Sequence, residues 1–181
     1  FDTLGIGSFA IETSLFKNLK LVGDKKIPGT LNVGATIPTV CEALIFLTVV
    51  QVEPVTLISM ILAAVAGALI GAGIISKLNE KAVQGSMGLA LVCIALIMIA
   101  GQLNLFPVGG NAIGLSGGKL IIGIIGNFIF GALNTLGIGL FAPCMALVFA
   151  LGMDPKVAFP IMMGSGAILL PFASFKFIKE G

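Results

Sequence analysis

The chain has 181 residues, of which 57% are hydrophobic and only 10% are charged, and its formal net charge is +2. Soluble domains carry about 25% charged residues because their surface faces water, so this composition excludes a water-covered globular protein and indicates lipid contact. All ten basic residues are Lys. Without Arg or a basic stripe we expect no binding to nucleic acid.

Long apolar stretches follow one another along the chain, and about 20 such residues suffice to cross a bilayer. The candidate spans are 31–50, 55–75, 82–100 and 157–177. Between the last two lie a loop at 102–118, rich in Gly and Asn, and an apolar stretch at 119–151 that glycines interrupt. That stretch fits either one tilted span or two short ones. We predict an all-α, polytopic integral membrane protein.

The lysines in the short connections predict the orientation in the membrane. The connection 17–29 holds four Lys and 76–81 holds two, whereas 51–54 and 102–118 hold none. Two spans separate the Lys-rich connections, so they share a face. We expect that face to be cytoplasmic and the membrane to be the cell (plasma or inner) membrane.

The chain also resembles itself at an offset of 132 residues. Residues 2–10 read D-T-L-G-I-G-S-F-A and residues 134–142 read N-T-L-G-I-G-L-F-A. The same offset aligns Pro28 with Pro160 and Gly34 with Gly166. These matches predict two duplicated multi-helix halves, each with a Gly-broken helix.

The predicted organisation is a first repeat at 1–101, an extracytoplasmic loop at 102–118 and a second repeat at 119–181. The first repeat would lack part of its N-terminal helix and the second its C-terminal part, so we expect a protein that is longer at both ends. The number of crossings in 119–151 decides whether the repeats are parallel or inverted, and we favour parallel repeats.

The Thr-Leu-Gly-Ile-Gly motif of each half disfavours a continuous helix, since each Gly costs about 1 kcal/mol relative to Ala in a helix interior. Unwound backbone survives in hydrocarbon only when it is buried in protein or lines a cavity, and matching breaks in two halves indicate a transporter binding site. The half-helix that follows a break offers free N–H groups and a dipole that attract an anion. The candidate substrate-binding residues are Thr3, Gly5, Gly7, Asn134, Thr135, Gly137, Gly139 and Pro143. Close packing of helices through small residues is the alternative, and it is the role that we predict for the Gly67-x-x-x-Gly71 pair in the span 55–75.

Polar residues within the spans are further candidates. An ionised carboxylate in mid-span costs at least about 2.5 kcal/mol, so we assign Glu42 to proton coupling or gating, with an ion pair to Lys119 or a hydrogen bond to Thr39 as the structural alternative. Glu12 is similar but closer to a Lys-rich connection, where a simple interfacial carboxylate is the alternative. Asn127 belongs to a stripe that steps by four residues and serves either helix packing or solute contact.

Enzymatic chemistry finds little support. No His is present, and the cysteines stand singly in apolar stretches without metal-ligand spacing. The G-x-G pairs lack the third Gly of a dinucleotide site. We therefore predict no cofactor, no metal and no enzyme. The alternatives to a transporter are a channel, a structural membrane subunit or, less favoured, an intramembrane enzyme pairing Cys144 with Glu12 or Glu42.

The duplicated motif, Thr3–Gly7 and Thr135–Gly139, together with Pro143 and the connection 151–158, resembles the sulfite exporter TauE/SafE family, also called the toluene sulfonate uptake permeases. The resemblance implies a permease of about eight spans that moves sulfite, sulfonates or other small organic or sulfur-containing anions. We expect a small anionic solute as the substrate and a proton or another ion as the coupling partner. In the first copy Ile11 stands where the second has Pro143, so the two halves need not contribute equally.

Overall fold

The computed structural model describes residues 8–23, 26–75, 110–135 and 139–180, together with residues 81, 85, 89, 92, 96, 99 and 103. The described part contains no strand, only an isolated bridge between Ala112 and Met153. Its helices are α1 (Phe9–Asn18), α2 (Ile27–Val49), α3 (Pro54–Ile75), α4 (Gly117–Asn134), α5 (Phe141–Ala150) and α6 (Ala158–Glu180), the last preceded by a 3-10 turn at Pro155–Val157. The all-α prediction is confirmed.

Four of these helices, α2, α3, α4 and α6, are long and apolar enough to cross a membrane. Large apolar side chains on their outer faces are exposed, among them Ile37, Leu62 and Ile125. Such surfaces are unfavourable in water and suit a lipid environment. The predicted span 82–100 lies largely outside the described residues.

The interrupted stretch 119–151 divides into a long helix and a short one. α4 has 18 residues and α5 has 10, so at a rise of 1.5 Å per residue α5 extends only about 15 Å, half of a bilayer core of about 30 Å. By length α4 could cross a bilayer, whereas α5 is long enough for only about half of the core.

Helices α2 and α6 lie antiparallel. The Phe46 and Phe159 rings stack with their centroids 4.9 Å apart, near the end of α2 and the start of α6. The hydroxyls of Thr36 and Ser174 lie 3.3 Å apart, closer to the start of α2 and to the end of α6.

Helices α3 and α4 lie parallel and in close contact. A Cβ on Gly67 would overlap the carbonyl oxygen of Phe128, and a Cβ on Gly131 would overlap that of Ala64. Only glycine allows this approach, which confirms the packing role predicted for the Gly67-x-x-x-Gly71 pair.

Two ends of the helix bundle can be distinguished. At the end that we call the loop end, the connections 51–53, 110–116 and 151–154 meet. The amide of Glu53 donates to Ile113 (2.9 Å), and that of Asp154 donates to Ala112 (2.9 Å). The opposite end, which we call the lysine end, contains the α1–α2 connection and the C-terminus of α6.

Candidate functional site

Half of the predicted substrate-binding residues can be placed. Thr3, Gly5, Gly7 and Gly137 lie outside the described residues. The other four, Asn134, Thr135, Gly139 and Pro143, lie where α4 ends and α5 begins.

The backbone between α4 and α5 explains the residue types found there. Gly139 has a φ of +77°, in the left-handed region that glycine enters without steric cost. Leu140 is the N-cap of α5, and the amide of Cys144 donates to its carbonyl at 3.0 Å, the first bond of the helix. Pro143 therefore occupies the first turn, where its missing N–H costs no helical bond.

Two asparagines link the C-terminus of α4 to α2. Nδ2 of Asn134 donates to Oδ1 of Asn32 at 3.2 Å, and Nδ2 of Asn32 donates to the carbonyl of Pro28 at 2.7 Å. Both asparagine side chains are buried. The sequence analysis missed Asn32, although an amide inside an apolar span was the signal that could have revealed it.

Thr135 contributes to packing in this structure. Its hydroxyl donates to the carbonyl of Ala132 at 2.6 Å, the side chain is fully buried, and a Cβ on Gly71 would lie only 2.8 Å from its Oγ1. The hydroxyl is thus held by its own helix against α3.

The starts of α1 and α5 lie together. A Cβ on Gly139 would lie 3.4 Å from Cβ of Phe9, the first residue of α1. From this point α1 leads to the connection before α2 and α5 leads to the connection before α6. Since α2 and α6 are antiparallel, the two short helices diverge toward opposite ends of the bundle. Their N-termini, which carry the positive ends of the helix dipoles, converge.

The two short helices also share their hydrogen-bond pattern, and every equivalent atom is displaced by 132 residues. Each has 10 residues. The first bonds join Glu12 to Ser8 and Cys144 to Leu140; the closing bonds join Leu21 to Phe16 and Met153 to Val148. Both helices end in a left-handed residue, Lys20 with φ +50° and Gly152 with φ +82°, in the arrangement of a Schellman motif.

Glu42 lies at the flank of the buried face of α2. Its Oε2 atom is shielded from solvent, while Pro38 and Gly34, about one and two turns earlier in α2, are exposed. Thr39 is buried, and its Cγ2 would lie 2.7 Å from a Cβ on Gly166 in α6, so it packs between helices. Lys119, considered as an ion-pair partner for Glu42, donates instead to the carbonyl of Leu151 (3.0 Å) at the C-terminus of α5. Glu12 is half-buried on α1.

Asn127 lies at the centre of three helices. Its Nδ2 donates to the carbonyl of Met60 in α3 at 2.7 Å and to Oγ of Ser165 in α6 at 3.1 Å. Its Oδ1 is buried and has no hydrogen-bond partner among the residues that the structure describes. Helix packing along the predicted stripe is thus observed, and one polar atom is left over.

The chain was compared with known proteins at three levels. No family model, no curated protein and no solved structure matches it.

The loop end holds a cavity of about 440 Å³ that none of the predicted site residues lines; its wall includes Leu47, Val50, Glu53 and Ile113. The carboxylate of Glu53 accepts from the hydroxyl of Thr56 (2.6 Å) and from its amide (2.7 Å). The Thr56 hydroxyl and amide hold the pKa of Glu53 below its usual value. Glu53 thereby caps the start of α3. The Thr56 hydroxyl also accepts from the amide of Leu115 at 2.8 Å. We infer that Glu53 and Thr56 hold the connections of the loop end together.

Proposed function

We propose that the chain is a secondary transporter for small anions, and that the anion binds where α1 and α5 begin. The observation that carries this proposal is the meeting of two short helices at their N-termini, with Phe9 beside Gly139. Both helices begin within the bundle. The N–H groups of the first turn of each helix have no acceptor in that helix.

Two helix N-termini form an anion site without a fixed positive side chain. Each is equivalent to roughly half a positive charge, and the N–H groups of a first turn point toward a ligand placed there. In a site shielded from water these partial charges act at low dielectric. The absence of Arg from the chain is therefore compatible with anion binding.

An inverted repeat provides the mechanism for alternating access. The matching bond pattern of α1 and α5 and the equal lengths of α2 and α6, 23 residues each, support a duplication. Because α2 and α6 are antiparallel, we propose an inverted duplication in place of the parallel repeats that the sequence favoured. In inverted-repeat transporters the substrate binds between the repeats near the bilayer midplane. α1 and α5 would then alternately expose the site at opposite ends.

Charge supports one orientation of this transporter. The described part of the lysine end holds Lys17, Lys20, Lys26 and Lys179, whereas at the loop end Lys119 and Lys156 are accompanied by Glu53 and Asp154. By the positive-inside rule the lysine end is cytoplasmic, and we place the membrane at the cell boundary. The resemblance to sulfite and sulfonate permeases gives the substrate class: small sulfur-containing or organic anions.

The test is uptake of sulfite, thiosulfate, a sulfonate and a carboxylate into proteoliposomes that contain the purified chain. We expect saturable, gradient-dependent uptake of at least one of these anions. A channel would give flux that does not saturate, and a structural subunit would give none. Either result would overturn the proposal.

A matched pair of variants locates the site. Gly139→Ala and Gly117→Ala both place an alanine at a positive φ, which costs about 1–2 kcal/mol in each case, but only Gly139 lies between the two helix starts. We expect Gly139→Ala to reduce uptake at least tenfold and Gly117→Ala to change it little. Equal effects would refute an anion site at the break.

A further inference from the structure

The unpartnered Oδ1 atom of Asn127 calls for a physical explanation. A buried acceptor that loses water without gaining a protein partner costs free energy, and such atoms in folded proteins usually mark an ordered water, an ion or a functional role. Asn127 is fully buried between Gly123 and Gly131, one turn away on either side, where α4 approaches α3 most closely.

The three polar groups at this point come from three helices and are all neutral. They are the amide of Asn127, the hydroxyl of Ser165 and the carbonyl of Met60, and all three residues are fully buried. Rotation of the Asn127 amide by half a turn would put Oδ1 in the place of Nδ2, which lies 2.7 Å from the Met60 oxygen and 3.1 Å from Oγ of Ser165. Oδ1 would then face the Met60 oxygen and Oγ of Ser165 at about these two distances.

Oδ1 and the Met60 carbonyl are both acceptors without a proton, so at about 2.7 Å they repel one another unless a cation lies between them. Three oxygens about 3 Å apart can all touch a cation with metal–oxygen distances of about 2.3–2.6 Å, the range found for Ca²⁺, and Na⁺ has nearly the same radius. Because the three ligands carry no charge, a monovalent ion suits them better than a divalent one, whose protein ligands include carboxylates.

We propose that Asn127, Ser165 and Met60 form a Na⁺ site, in which the amide of Asn127 turns so that Oδ1, Oγ of Ser165 and the Met60 carbonyl bind the ion. The site joins α3, α4 and α6, and α4 leads directly into the break. Occupancy by Na⁺ therefore fixes the helix that precedes the anion site. This makes Na⁺ the coupling ion, a role that rests on the proposed transport function; the binding of Na⁺ does not.

The experiment measures thermal unfolding of the purified full chain in detergent in NaCl, KCl and choline chloride at equal ionic strength. We expect Na⁺ alone to raise the melting temperature, with a saturable concentration dependence. Ser165→Ala should weaken the apparent Na⁺ affinity at least tenfold. Ser174→Ala, which removes a hydroxyl from the same helix beside Thr36, is the matched control and should retain the wild-type response. Equilibrium binding of radioactive ²²Na⁺ to the same three proteins provides a readout independent of unfolding.

The outcomes separate this inference from the proposed function. No Na⁺-specific stabilisation, or equal stabilisation of Ser165→Ala and wild type, means that Oδ1 bonds to a buried water and overturns the inference. Anion uptake that does not depend on Na⁺ would refute coupling and leave the transporter standing. Na⁺ binding in a protein that moves no anion would refute the transporter and leave the cation site standing.

Discussion

The α1–α2 pair and the α5–α6 pair are built alike but occupy different positions in the bundle. In each, a helix of 10 residues ends in a left-handed turn and leads into a helix of 23 residues. Of the candidate membrane span in α2 only 17% is buried inside the protein, whereas for the span Pro155–Phe175 in α6 the share is 72%. α2 thus lies at the edge of the bundle and α6 at its centre, packed against α2, α3 and α5.

This difference shows that equivalent sequence positions need not experience equivalent contacts. Gly34 and Gly166 align in the repeat, yet a Cβ on Gly34 would meet nothing within 4 Å, while a Cβ on Gly166 would lie 2.7 Å from Cγ2 of Thr39. The glycine in α6 permits a close contact between helices, whereas the glycine in α2 makes no such contact with the described residues.

We therefore expect the largest difference in stability between alanine substitutions at Gly166 and at Gly34. Gly166→Ala should destabilise the protein by about 1–3 kcal/mol, because the added methyl overpacks a buried contact with a stiff β-branched side chain. Gly34→Ala should be neutral or stabilising by about 0.5–1 kcal/mol, because alanine favours a helix interior. Thermal or denaturant unfolding in detergent measures both, and equal effects would show that the two helices are equally packed.

The ends of the short helices give a second, smaller contrast. Lys20 adopts a φ of +50° where the second copy has Gly152 at +82°, and a side chain in that region is strained. Lys20→Gly should stabilise the protein, and Gly152→Ala should destabilise it, each by about 1 kcal/mol.

Gly23→Ala is the control for these changes. Gly23 does not adopt a positive φ and has open space around its Cα, so alanine there should change the melting temperature little. A loss of stability in Lys20→Gly would show that the lysine side chain contributes more than its backbone strain costs.

Hydropathy and glycine placement predicted much of the fold. The spans 31–50, 55–75 and 157–177 are helices, because long apolar runs have few other ways to satisfy their backbone in lipid. Of the second Gly-rich motif, Thr135 directly follows α4 and Gly139 lies just before α5. Gly67 and Gly71 were predicted correctly as packing residues, since a small-xxx-small pattern depends on local spacing alone.

Features that depend on distant contacts were not predictable in the same way. The sequence left open whether 119–151 forms one span or two, and the division into a helix of 18 residues and one of 10 could not be read from the pattern alone. The Asn134–Asn32 bond joins residues 102 apart in sequence. The orphan Oδ1 of Asn127 depends on the meeting of three helices. The Glu53–Thr56 cap, by contrast, is local and could have been recognised.

The smallest expected effect concerns how firmly the two left-handed turns are held. The turn after α5 is tied to the connection 110–116 by the bond from the Asp154 amide to Ala112, and that connection is fastened to Glu53 and Thr56. Glu53→Gln should therefore speed hydrogen exchange of the Asp154 amide and leave that of Leu21, in the turn after α1, unchanged.

The effect should depend on pH in a defined direction. The pKa of Glu53 is lowered in the folded protein from its ordinary value of 4.5, so its carboxylate stabilises the fold above that value, and the contribution is lost as the pH falls through the lowered pKa. The difference in exchange between wild type and Glu53→Gln should thus be full at neutral pH and vanish in strong acid. Equal acceleration at Asp154 and Leu21 would mean that Glu53 stabilises the whole bundle, and the proposed distinction between the two turns would fail.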